Sequence, residues 1–196
     1  MRKIEYCHRC GVTCGPGATT DQGCARCRSR ALPWDLLVRL GPYREPLAPW
    51  IVAMKFARAW SWGPWLGASL AASIPAHRRK ERLVVCPVPM HWARRLGRGY
   101  NQAELLAMGL ARQLKAPMHS LLTRPRRAPA QTRLPLSLRE SNVTRCFATV
   151  PARLDGWEVW LVDDVKTTGS TVGACARLLR RAGAVRVNVA VAAVTD

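Results

Sequence analysis

The pattern of apolar and polar positions changes character twice along this chain. Residues 1–30 are polar and rich in cysteine and glycine, with no period long enough to bury a core. Residues 31–76 are rich in tryptophan and broken at Pro33-Trp34 and Gly41-Pro42. Within them, residues 46–60 predict a helix interrupted near Pro49, with Ile51, Met54 and Phe56 turned inward. Residues 64–74 predict a second helix, with Pro64 near its start and Pro75 past its end.

From residue 82 onward strands and helices alternate. Leu83-Val84-Val85-Cys86 reads as a buried strand, stopped by Pro87-Val88-Pro89 and followed by a loop of Arg and Gly. Residues 101–114 have helical spacing, with Ala103, Leu106, Leu110 and Leu114 on one side. Asn101 is a good N-cap, and Glu104, three residues on, completes a capping-box pattern. Residues 157–162 predict a second strand and residues 171–181 a helix with Val172, Cys175, Ala176 and Leu179 inward. Residues 185–194 predict a third strand, β-branched and nearly continuous. Strand, helix and strand with buried strands predict an α/β fold: a parallel sheet flanked by helices. Residues 119–145, rich in Pro and Arg, predict a long loop of the kind that carries function. The expected division is 1–30, 31–76 as a helical connector, and 77–196 as the α/β domain.

Cysteine placement gives the first segment a purpose. Five of the eight cysteines lie within the first 27 residues. Cys7-x2-Cys10 and Cys24-x2-Cys27, separated by 13 residues, can close a tetrahedral site of four thiolates. So small a segment needs a metal to fold, and zinc is the expected occupant. Cys14 and His8 are the alternative ligands, although the pair spacing favours Cys10. Cys86, Cys146 and Cys175 read as buried structural thiols. The tryptophans at 50, 60, 62 and 65 read as packing residues, with base stacking as the alternative.

Charge points to the partner. The chain carries 31 basic and 12 acidic residues, a net +19. Residues 77–145 hold 15 Lys/Arg against 3 acids, whereas residues 153–196 hold 6 against 5. A cationic middle suits phosphate-rich ligands. No apolar run is long enough to span a membrane, and the first residues lack a signal-peptide core, so a cytoplasmic location is expected.

The segment Val159-Trp160-Leu161-Val162-Asp163-Asp164-Val165-Lys166-Thr167-Thr168-Gly169-Ser170-Thr171 carries the candidate chemistry. A buried strand ends in two carboxylates, and a Thr/Gly/Ser loop then opens a helix. Ligands of open α/β sheets bind at the carboxyl ends of strands, and a helix N-terminus favours an anion. Carboxylates accept hydrogen bonds from vicinal hydroxyls, so the pattern suits a phosphate joined to a sugar.

This segment resembles the phosphoribosyl-diphosphate (PRPP) motif of type I phosphoribosyltransferases. With Pro87-Val88-Pro89, the run Arg98-Gly99-Tyr100-Asn101-Gln102-Ala103-Glu104, the spaced Gln131, Arg139 and Asn142, and the four-cysteine module, the chain resembles the ComF family over nearly its whole length. The resemblance implies that Asp163 and Asp164 bind the ribose hydroxyls. It implies that Thr167, Thr168, Gly169, Ser170 and Thr171 cradle the 5′-phosphate, beside Lys166, whose added charge favours diphosphate. Arg94, Arg95 and Arg98, in the loop after Pro89, become candidates for the diphosphate, and residues 124–139 correspond to a hood over PRPP. Structural Zn²⁺, Mg²⁺ carried by PRPP, single-stranded DNA and competence-machinery proteins are the implied cofactors and partners. Lys166 and Ala128-Pro129-Ala130 depart from the family pattern. The resemblance implies either a DNA-uptake role or phosphoribosyl transfer to an unidentified acceptor.

Overall fold

The computed structural model describes residues 5–57, 59–75, 82–126 and 145–196. Gln131, Arg139, Asn142 and all but the first residues of the expected hood lie outside them.

The core is one parallel sheet of four strands: β3 (Leu36–Pro42), β4 (Leu83–Pro87), β7 (Glu158–Lys166) and β8 (Arg186–Val194). Their spatial order is β3-β8-β7-β4. Val159, Leu161, Val187, Val189 and Val191 face helix α5 (Ser170–Arg181), which turns Val172, Cys175, Ala176 and Leu179 onto them. Val38, Val85, Trp160, Val162 and Ala190 face the other way. There they are covered by α1 (Leu47–Phe56), α2 (Trp62–Ala72) and α4 (Gln102–Leu114). Because both faces are covered, these strands read as continuous apolar runs rather than alternating ones. Two small antiparallel pairs complete the elements: β1 (Thr19–Thr20) with β2 (Gly23–Cys24), and β5 (Leu122–Thr123) with β6 (Ala148–Thr149).

The structure departs from the sequence expectations in four places. Residues 36–42, expected within a helical connector, form an edge strand paired with β8. Arg39 interrupts the apolar run there, yet it is 2% exposed, with its guanidinium bonded to Asp196 at 3.3 Å and Thr13 at 2.6 Å. The stretch after Pro89, expected as a loop, contains helix α3 (Trp92–Arg98), capped by the His91 ring and stopped at left-handed Gly99. Trp92 and Leu96 point to solvent, so no buried stripe marked this helix in the sequence. Strand β7 continues past Val162 to Lys166, because β8 pairs with it that far. Phe56 is exposed rather than inward, and so are Trp60, Trp62 and Trp65. Trp62 stacks on Trp50 at 5.3 Å and Trp65 meets both edge-on, so these three tryptophans pack with one another at the surface.

The Asn101 cap is present: its side chain accepts from the Ala103 N–H at 3.1 Å and donates to the Val88 carbonyl. Glu104 instead pairs with Arg95 at 2.6 Å.

Candidate functional site

At the carboxyl end of the sheet a cleft of about 770 Å³ opens between β7, α1 and the segment from Val88 to Ala103. Asp163 and Asp164 stand on one wall with Thr171. Arg94 and Arg98 of α3, Lys55 of α1 and Arg124 supply cations around it. The Lys55 ammonium lies 3.0 Å from Asp164. Arg98 is held by Gln102 at 2.8 Å and lies over the Phe56 ring at 5.3 Å, which sets an aromatic lip on the cleft. Two carboxylates facing several cations suit a ligand that carries both vicinal hydroxyls and anionic groups.

Asp163 is hemmed in by protein and half open to the cleft. Burial, and then the neighbouring Asp164 carboxylate, push it up to about 8. The Asp164 N–H donates to it at 2.9 Å and opposes that rise. Folded Asp163 therefore gives up its proton at a higher pH than the unfolded chain does. A raised carboxyl pKa makes stability fall as pH climbs from the ordinary carboxylate range toward 8. Asp163→Asn removes that dependence. Because cleft water screens part of the effect, we expect a gain of about 1 kcal/mol at pH 7.5 and almost none at pH 4. Urea denaturation at the two values checks this; equal gains at both refute it.

The phosphate-loop residues behave differently. Gly169 is left-handed (φ 88°), and a Cβ there would stand 3.2 Å from Lys166 Cε and 3.3 Å from Trp34. That turn sends Lys166, Thr167, Thr168, Gly169 and Ser170 to a second cavity beside the cysteine module, while Thr171 stays in the larger cleft. Burial pushes the Lys166 amine down. Thr168 Oγ1 accepts from the Ser170 N–H at 3.3 Å, closing the first turn of α5.

In the module, Cys7 and Cys27 sulfurs are 3.6 Å apart, as are those of Cys10 and Cys24. All four ligand atoms lie within 4.8 Å of one another. A tetrahedral zinc with Zn–S bonds of about 2.3 Å needs sulfurs about 3.8 Å apart. The cluster therefore fits a metal ion such as zinc. Cys14 stands outside it, bonded to the Val12 carbonyl. His8 is outside it as well.

A family model for the phosphoribosyl transferase domain matches residues 101–195. The DNA utilization protein YhgH of Salmonella typhimurium is 34% identical over 196 residues, covering 96% of this chain and 83% of that one. Competence protein F of Haemophilus influenzae is 31% identical over 200 residues, covering 96% and 84%. The chain belongs to the ComF/YhgH family. Among solved structures, a B. subtilis glutamine PRPP amidotransferase aligns with a TM-score of 0.47 and 24% identity, over 67% of this chain and 26% of that one.

Of the residues singled out in the sequence, the fold gathers Asp163, Asp164, Thr171, Arg94 and Arg98 in one cleft. Arg95 does not line it. Lys55 and Tyr100 were not singled out, whereas Arg124 opens the stretch 124–139 expected as the hood. Lys55 lies far from the motif in sequence, and no local pattern links it to the cleft. The Tyr100 hydroxyl bonds the Met54 carbonyl. Cys86 and Cys175 are buried, and burial raises both thiols, to about 12 for Cys86. Among the described residues no helix is long and apolar enough to cross a membrane.

Proposed function

We propose that the larger cleft binds PRPP or a related phosphoribosyl ligand carried on Mg²⁺, in a cytoplasmic protein that serves DNA uptake or utilization. The juxtaposition of Asp163 and Asp164 with Thr171, Arg94 and Arg98 in one cleft carries this reading. The carboxylates take the ribose hydroxyls, Thr171 takes the 5′-phosphate, and Arg94 and Arg98 take the diphosphate. Lys55 is positioned to trade Asp164 for a ligand phosphate. A Mg²⁺ ion on the diphosphate offsets its charge. If a transfer reaction occurs, its positive charge develops at the sugar, and the site contributes positioning and electrostatics rather than a single base.

Equilibrium binding of PRPP with Mg²⁺ tests the reading. We expect saturation in wild type and a loss of about tenfold or more in Asp163→Ala/Asp164→Ala. Absence of binding at millimolar PRPP sinks it. Diphosphate release measured in the same samples separates turnover from binding alone.

The DNA role draws on the two relatives, one named for DNA utilization and the other for competence. It also draws on the net +19 charge and the exposed tryptophans. Single-stranded DNA, handed over by competence-machinery proteins, is the partner this implies. Affinity for a single strand must fall steeply with salt, because phosphate contacts release counterions. A flat response sinks the DNA role.

A further inference from the structure

Helices α1 and α2 leave an aromatic face open to solvent. Trp60 is 60% exposed, Trp65 53% and Trp62 39%, and Trp50 is partly buried beside them. The Trp50 and Trp62 rings lie within 14° of parallel, and Trp65 stands edge-on to both at 5.7 and 6.0 Å. A buried tryptophan removes about 150–250 Å² from water, so leaving several outside forgoes a large stabilisation. Single exposed apolar side chains are ordinary, but a contiguous group marks a surface that binds.

Charge selects the partner. Residues 46–80, which include both helices, carry five Lys/Arg and no acid. A second copy of this chain would bring the same sign of charge to the contact, whereas a polyanion is attracted. Indole faces in a positive, acid-free setting suit unpaired bases, because every base offers a π-face and a duplex hides it. Position agrees with this choice. Helix α1 carries Trp50 near its start and ends at Phe56, whose ring lines the larger cleft beneath the Arg98 guanidinium. The aromatic face therefore leads along one helix to the mouth of that cleft.

We propose that Trp60, Trp62 and Trp65 form a stacking platform for the bases of single-stranded DNA. The proposal rests on the DNA role above and gives it a surface. It does not depend on PRPP binding.

The test uses the full chain with oligo(dT) and an abasic phosphodiester strand of the same length, titrated across a salt series. Trp60→Ala/Trp65→Ala is expected to weaken oligo(dT) by about tenfold or more, with the salt slope unchanged, because stacking releases no counterions. The abasic strand should bind wild type and variant alike. Trp60→Phe/Trp65→Phe should recover most of the oligo(dT) affinity. Trp92→Ala removes an exposed tryptophan on α3 and should stay within about twofold of wild type. Circular dichroism confirms that each variant is folded. If wild type fails to bind oligo(dT) at low salt, the DNA role falls and the platform with it. If wild type binds and the double alanine variant matches it, the platform alone is overturned. An equal loss for the abasic strand, or from Trp92→Ala, overturns it as well. Light scattering that shows a wild-type dimer split by the alanine variant would assign the face to a second copy. Sedimentation of wild type but not the variant with anionic vesicles would assign it to a lipid surface. Either result overturns the proposal.

Discussion

Replacing Cys7 and Cys10 with serine is expected to abolish metal binding and unfold the N-terminal module. Among the described residues, the module's buried hydrophobic side chains are the four cysteines, with Val12, Cys14 and Leu32 packed partly against them. Its strands β1 and β2 are two residues each. Such a core cannot offset the chain entropy of folding, so metal binding supplies the folding energy.

The damage spreads into the sheet along defined bonds. The Leu37 N–H donates to the His8 carbonyl at 2.7 Å. Asp196, just past β8, accepts from the Thr13 N–H at 2.8 Å and pairs with Arg39. Losing the module strands the buried Arg39 with Asp196 as its remaining bonded partner and frees the edge of β3. We expect zinc content to fall from about one equivalent to near zero, with Tm lower by about 10 °C or more. Hydrogen exchange should accelerate over residues 36–42 and stay slow in β4 and α4. Cys14→Ser keeps its zinc. Unchanged zinc content in the double serine variant refutes the four-cysteine site.

The second large effect is steric and involves glycines that line neither cavity. Helices α2 and α4 cross at three glycines. A Cβ on Gly109 would collide with the Pro64 carbonyl oxygen, and one on Gly67 with the Leu106 carbonyl oxygen. A Cβ on Gly63 would strike the Leu105 side chain. Two of these obstacles are backbone atoms, which cannot rotate away. Gly109→Ala therefore forces the helices apart over a core that includes Leu66, Leu70, Leu106 and Leu110. We expect a loss of about 3 kcal/mol or more, despite alanine's better helix propensity. Gly97→Ala in α3, where a Cβ meets nothing within 4 Å, is the control and should stay within about 0.5 kcal/mol of wild type. Urea denaturation decides it. A Gly109→Ala protein as stable as the control would show that α2 and α4 do not pack this closely.

Position on α4 also ties this contact to the site. Asn101 caps the helix and bonds the Val88 carbonyl. Gln102 holds Arg98. Displacing α4 would thus move the wall of the larger cleft that carries the α3 arginines.

Much of this architecture was readable in the sequence alone. The β-branched runs 83–86, 157–162 and 185–194 carry enough local signal to mark buried strands, and the parallel α/β sheet follows from them. The paired Cys-x2-Cys spacing marks the metal cluster for the same reason: its ligands come from two local turns. Asp163, Asp164 and the loop to Thr171 stand together in sequence, so their chemistry is local as well.

What the sequence hid were interactions between distant segments. Strand β3 was invisible because Arg39 breaks its apolar run, and Asp196 and Thr13, 157 and 26 positions away, together with the Tyr6 ring make that burial tolerable. Lys55 belongs to the site only because α1 crosses the end of β7. The sharpest change concerns the motif itself. Residues 163–171 read as one phosphate-and-ribose site. The left-handed turn at Gly169 and the docking of the cysteine module divide them between two cavities. Sequence determined which residues carry the chemistry, because charge and hydroxyl groups are properties of single side chains. Tertiary structure decided which of them share a cleft, because that depends on backbone direction and on what packs behind the loop.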